Sequence, residues 1–222
     1  MHHVFVETNW VVELVAPAHH QTPEAAALRE KARSGQLKVY LPAISLTEAR
    51  RPVRTKYQPR RAADELRKYL HWVTSAKKID AERAQTVHVA LDQYEAAVSS
   101  ELDELEDRLQ SLTQEPGIEV FALTEAMLAR TVQLATLDLD LKPFDQAILG
   151  AILVRAEQLR DEGADQIAFC ELDSDLQPWD KRGASKQPLT ELYDSAHVWV
   201  YGDFALSSPE KRPATFPEVN RV

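Results

Sequence analysis

Val4-Phe5-Val6-Glu7-Thr8-Asn9-Trp10-Val11-Val12 decides the fold of this chain. Three consecutive apolar residues read as a short buried strand, and the trio Glu7-Thr8-Asn9 can end a strand and cap a helix. Trp10, Val11, Leu14 and Val15 then follow at helical spacing. Outward from there the alternation continues. Gln21 to Arg33 reads as a helix opened by Thr22-Pro23, with Glu24 in its first turn and Gly35 past its end. Leu37 to Leu41 is a second strand, and Pro42 leads into a helix from about Ile44 to Arg54.

The α/β pattern resumes at Ile118 to Ala122, a strand followed by a helix that Thr124 caps and that runs to about Leu137. Pro143 starts a helix through Ile148, Ile152 and Leu159 to Gly163. Ile167 to Cys170 is the next strand, trailed by the acidic turn Glu171-Leu172-Asp173-Ser174-Asp175, and Val198 to Tyr201 is a last strand before a Pro-rich tail. Strands separated by helices predict an α/β class protein, a parallel sheet flanked by helices in three layers.

Between these blocks the periodicity changes. Leu66, Tyr69, Leu70 and Val73 mark one helix; Val87, Leu91, Tyr94, Val98, Leu102, Leu105, Leu109 and Leu112 then recur every three or four residues over about seven turns. Pro116-Gly117 closes that run. The expectation is one domain over residues 1–222 with a helical-hairpin insertion at 60–115, its arms packed on each other. A homodimer through the seam is the other reading.

Length and composition bound the function. At 222 residues with 44% hydrophobic and 27% charged side chains, the chain can bury a core and is not disordered by composition. The single cysteine, Cys170, excludes an internal disulfide and suits a reducing compartment. The apolar stretch Ala147 to Val154 is too short for a membrane span, and Glu7 interrupts any signal-like run, so a cytoplasmic protein with no membrane contact is expected. Six glycines, at 35, 117, 150, 163, 183 and 202, form no phosphate-cradling loop or dinucleotide fingerprint. There is no G-x-S-x-G elbow, and the adjacent His19-His20 with isolated His71, His88 and His197 lack zinc-ligand spacing.

Net charge is −9, from 26 basic and 35 acidic residues, which excludes broad electrostatic adhesion to nucleic acid. It is unevenly spread. Residues 50–68 carry eight basic side chains (Arg50, Arg51, Arg54, Lys56, Arg60, Arg61, Arg67, Lys68) against Asp64 and Glu65, a local +6 that leaves −15 elsewhere. Such a block suits RNA phosphates, with Tyr57 as a base-stacking platform; the alternative is a solvated helix face with packed Arg stems.

In sheets of this class, sites form outside the carboxyl ends of the strands. Glu7 follows the first strand, Asp173 and Asp175 follow a later one, and Glu48 and Asp145 lie on the first turns of helices entering the same end. Converging carboxylates repel one another unless cations neutralise them, and oxygen donors without Cys or His favour Mg²⁺ or Mn²⁺ over Zn²⁺. Acidic residues in a first turn also complement the helix dipole, so position alone leaves both readings open.

The four segments Val4 to Val12, Ile44-Ser45-Leu46-Thr47-Glu48-Ala49-Arg50-Arg51, Lys142-Pro143-Phe144-Asp145-Gln146-Ala147-Ile148-Leu149 and Glu171-Leu172-Asp173-Ser174-Asp175-Leu176 resemble, in order, the motifs of the PIN-domain nucleases. The resemblance covers residues 4–60 and 118–205. It implies a PIN-like fold and a metal-dependent endoribonuclease, with Glu7, Glu48, Asp145 and Asp173 as acidic ligands, Asn9 orienting the first of them and Asp175 supporting. One or two metal ions would lower the pKa of a water, orient it and offset charge on the phosphate. The family usually carries Asp at the position of Glu7 and Thr or Ser at that of Glu171. The added carboxylate of Glu171 either supplies another ligand or disrupts the set. A PIN-like RNA-binding or protein-interaction module without catalysis is the alternative; a phosphatase of another α/β fold lacks the paired Asp expected after the first strand.

Overall fold

Alternate residues of a strand point to opposite faces of its sheet, and here both faces are apolar, the condition for a parallel sheet covered on both sides. The computed structural model describes residues 1–206. Its five strands are β1 (His2–Phe5), β2 (Leu37–Pro42), β3 (Ile118–Phe121), β4 (Ile167–Cys170) and β5 (Trp199–Tyr201), all parallel, in the order β3-β2-β1-β4-β5. Val4, Val6, Val39, Leu41 and Cys170 join one core; Phe5, Tyr40, Ile167, Phe169 and Val200 join the other.

Helices α1 (Thr8–Val15), α2 (Pro23–Arg33) and α3 (Ala43–Lys56) supply Trp10, Leu28, Ala49 and Val53 to the first core. Helices α4 (Pro59–Ser75), α5 (Ala81–Asp103) and α6 (Leu105–Leu112) come next in the chain. Helices α7 (Glu125–Leu134), α8 (Pro143–Asp161) and α9 (Leu189–Ala196) supply Met127, Ile148, Ile152 and Tyr193 to the second. The result is the expected three-layer α/β/α arrangement around a central parallel sheet. The Pro-rich tail lies outside the described residues. Among those residues, no helix is long and apolar enough to cross a membrane.

The helical segment differs in one respect from a single long seam. α5 ends at Asp103, and Leu105, Leu109 and Leu112 of α6 sit in the first core with Leu102 against it, all three at 2% exposure or less. What stands apart is therefore the α4–α5 hairpin, held by Leu70, Val73 and Ala84 with Ile79 packed beside them. Leu66 and Tyr69, expected to mark the buried face of α4, are 54% and 63% exposed, and Val87 on α5 is 43% exposed. Arg67 ties the two arms instead, pairing with Asp92 at 2.7 Å and Glu95 at 2.8 Å.

The return from α6 to β3 needs Gly117. Its φ is +80°, and a Cβ there would lie 2.1 Å from the Ala32 carbonyl oxygen. Nearby, Glu115 fixes α2 through Arg29 at 2.6 Å.

Candidate functional site

The strand order places a topological switch point between β1 and β4, because the chain leaves β1 toward β2 and β3 on one side and later builds β4 and β5 on the other. Loops diverge there and leave a crevice at the carboxyl edge. The β1–β4 register ends at Phe5 against Phe169, and Glu7 and Glu171 each lie two residues beyond that pair. Two glutamates thus stand side by side at the inner end of the crevice, 4% and 0% exposed.

Local structure fixes them. Glu7 is the N-cap of α1 and accepts from the Asn9 backbone N–H at 2.6 Å. Glu171 Oε1 accepts from the Asp173 N–H and from Asn9 Nδ2 at 3.4 Å, so Asn9 touches both carboxylates. Asp173 Oδ1 in turn accepts from the Asp175 N–H at 2.9 Å, which curls the acidic turn back on itself. Lys186 Nζ holds that turn from outside through the Ser174 and Asp175 carbonyls.

The remaining acids approach from the two helical layers. Glu48 lies in the second turn of α3 rather than the expected first, because the helix already starts at Ala43, and it accepts from Thr8 Oγ1 at 2.5 Å. Asp145 sits in the first turn of α8 with Oδ2 buried and without a hydrogen-bond partner among the described residues; Glu171 Oε2 is the same. Burial pushes the Glu7 carboxyl up to about 8, and the charges of Glu48, Asp173 and Asp145 add to the rise against the Asn9 hydrogen bond. Glu171 is raised well above the carboxylate range, first by burial and then by Glu7. Asp145 is raised by burial and by Glu48, with Lys142 opposing.

Glu7, Glu48, Asp145, Asp173 and Glu171 therefore occupy one electrostatic neighbourhood, and Asp175 acts on Asp145 from its edge. Among the described residues, however, no three His, Cys, Asp or Glu side chains are arranged to hold a metal ion. Glu7, Glu48 and Glu171 are turned onto the chain's own donors. The donor chemistry still fits a hard divalent cation: it is all oxygen, two buried oxygens lack a partner among the described residues, and the mutual repulsion is what a cation would offset. Those hydrogen bonds engage one oxygen of each glutamate, Glu7 Oε1, Glu48 Oε2 and Glu171 Oε1, so a cation would be reached by the other.

The basic block is more divided than its sequence suggests. Tyr57 is 6% exposed, with its ring 4.9 Å from His20, and is no open platform for a base. Arg50 and Arg54 pair with Glu106 at 2.9 and 3.7 Å. Arg51, Lys56, Arg60 and Arg61 are exposed, and Arg51 lies one turn beyond Glu48 on α3. Arg54 and Arg60 line an open groove with Gln58, Glu95, Ser99 and Asp103.

Three contributors are not among the candidate site residues expected from sequence: Thr8 on Glu48, Lys142 at 4.0 Å from Asp175, and Lys186 under the acidic turn. Lys142 is marked in the sequence by adjacency to Pro143 and Thr8 by its place in the trio after the first strand; Lys186 has no sequence signal. Protein-family models, curated proteins and solved structures gave no match to this chain.

Proposed function

We propose that this chain is a PIN-like, metal-dependent endoribonuclease that hydrolyses RNA phosphodiester bonds at the carboxylates of Glu7, Glu48, Asp145 and Asp173. The supporting observation is that the start of α1 ties acids of separate segments together: Asn9 bonds both Glu7 and Glu171, Thr8 bonds Glu48, and the charges of Asp145 and Asp173 bear on the same Glu7 carboxyl. Mg²⁺ or Mn²⁺ is the cofactor such an oxygen-only set would take. When bound, such a cation lowers the pKa of a water and offsets charge building on the phosphate.

The chain's own residues do the rest. Glu7 is anchored as the N-cap of α1, and Asn9 orients it through a backbone amide. Thr8 positions Glu48, and Asp145 projects from the first turn of α8 with Oδ2 unpartnered among the described residues. The nearly complete burial of Glu7 and Glu171 keeps bulk water from the inner wall, which strengthens every charge interaction there. Arg51, Arg60 and Arg61 supply positive charge for incoming phosphates.

The test is cleavage of a labelled RNA with Mg²⁺ or Mn²⁺. Activity stopped by chelator and lost in Asp145→Asn is expected; cleavage that persists in that variant removes the site assignment. One observation favours a second reading, a PIN-like RNA-binding or protein-interaction module without catalysis: Glu7, Glu48 and Glu171 each turn one oxygen onto Asn9, Thr8 or Asp173, and among the described residues the acids are not gathered on a common point. Calorimetric titration with Mn²⁺ separates the two, since the inactive module binds none.

A further inference from the structure

We propose that Glu171 is itself a cation ligand, forming with Glu7 the inner wall of the site and biasing it toward Mn²⁺ over Mg²⁺. The inference rests on the metal-site reading of the crevice. Glu171 is fully buried, and its Oε1 is held by the Asp173 amide and Asn9 Nδ2, while Oε2 has no hydrogen-bond partner among the described residues. Its place two residues past the last β1–β4 pair matches that of Glu7, so the two carboxyls share one end of adjacent strands.

A buried carboxylate oxygen without a donor is costly, and another acid beside it raises the cost. A cation reached by Oε2 removes both penalties together. Because Glu7 and Glu171 are 4% and 0% exposed, a cation meeting them must shed water on that side. Mg²⁺ dehydrates reluctantly and usually keeps several waters with one or two carboxylates, so a second buried glutamate benefits it less than Mn²⁺. A residue acting through charge alone would favour both ions equally.

The experiment measures Mn²⁺ binding to the full chain from loss of the free-ion EPR signal, and Mg²⁺ binding by competition. It compares the unaltered protein with Glu171→Gln and Asp145→Asn, and each is melted in chelator. For Glu171→Gln the expected result is a Mn²⁺ affinity lower by about tenfold or more, a clearly smaller loss for Mg²⁺, and a melting temperature at or above that of the parent. Unchanged Mn²⁺ affinity in Glu171→Gln alongside a loss in Asp145→Asn overturns this inference and leaves the metal site standing. Equal losses for the two ions, or a lower melting temperature in chelator, also overturn it, because Glu171 is then only a charge or a structural group. No Mn²⁺ binding by the unaltered protein overturns the metal-site reading and this inference with it.

Discussion

Replacing Glu7 with Gln should stabilise the metal-free protein, and the gain should depend on pH. The folded carboxyl is raised from its ordinary 4.5 to about 8, chiefly by burial. A group whose proton is held more tightly in the folded state loses stability as pH rises, beginning at the unfolded value and ending at the folded one. At 1.36 kcal/mol per tenfold change in proton affinity, full ionisation above pH 8 costs about 5 kcal/mol. At pH 7, where most folded molecules still hold the proton, the cost is about 3 kcal/mol. Gln keeps the size and an oxygen acceptor for the Asn9 amide but carries no charge, so it removes that cost. For a chain of this length, roughly 2–4 °C of Tm accompanies each kcal/mol. Glu7→Gln should therefore melt about 6–12 °C above the parent at pH 7 in chelator. The two should agree near pH 4.5, below which both are neutral at this position. Glu171 and Asp145, also raised, leave the variant with a shallower decline of its own. A parent Tm that stays flat from pH 5 to 8, or falls in parallel with that of Glu7→Gln, would refute the argument.

Gly117→Ala should destabilise the fold by about 2 kcal/mol or more, because it combines a left-handed φ with a Cβ aimed at the Ala32 carbonyl; urea titration gives the value, and an unchanged midpoint contradicts the geometry. Arg51→Ala with Arg61→Ala should weaken RNA binding and lower the salt slope by about 0.7 for each phosphate that is no longer neutralised. Affinities measured at several salt concentrations check this, and an unchanged slope places the RNA elsewhere.

Much of the fold is readable because each strand is a short apolar run bounded by turn residues, and five such runs separated by helices leave few topologies. The candidate site is readable for the same reason: Glu7 and Glu171 lie within two residues of a strand end, and Asp145 lies two residues after Pro143, so position relative to an element end locates them. Tyr57 misleads because its basic neighbours draw it into a surface patch. Its spacing from Ala49 and Val53, four and four residues, continues the buried stripe of α3 and holds the correct signal. Helix α9 is hard to read, although Leu189, Tyr193 and Ala196 are spaced for a buried face; at eight residues it makes a short pattern. The break at Glu104 has no Gly or Pro to announce it. Near it the helical run changes packing partner, from the hairpin to the main core, beginning with Leu102 at the end of α5.

That change of partner bears on how the chain folds. Leu105 and Leu109 of α6 must reach the Trp10 and Val15 side of the core from nearly a hundred residues away in sequence, a distant pairing that slows folding. The α4–α5 hairpin lies within that excursion and is built from near neighbours: Leu70, Val73 and Ala84 meet across one turn, and Arg67 reaches Asp92 and Glu95. Local helical pairs of this kind form on the microsecond scale, before long loops need to close. Once formed, the hairpin gathers its own ends and shortens the loop left to be closed between α3 and α6. A segment that contributes little to the sheet's core would then act as a kinetic tether, setting how soon β3 finds β2.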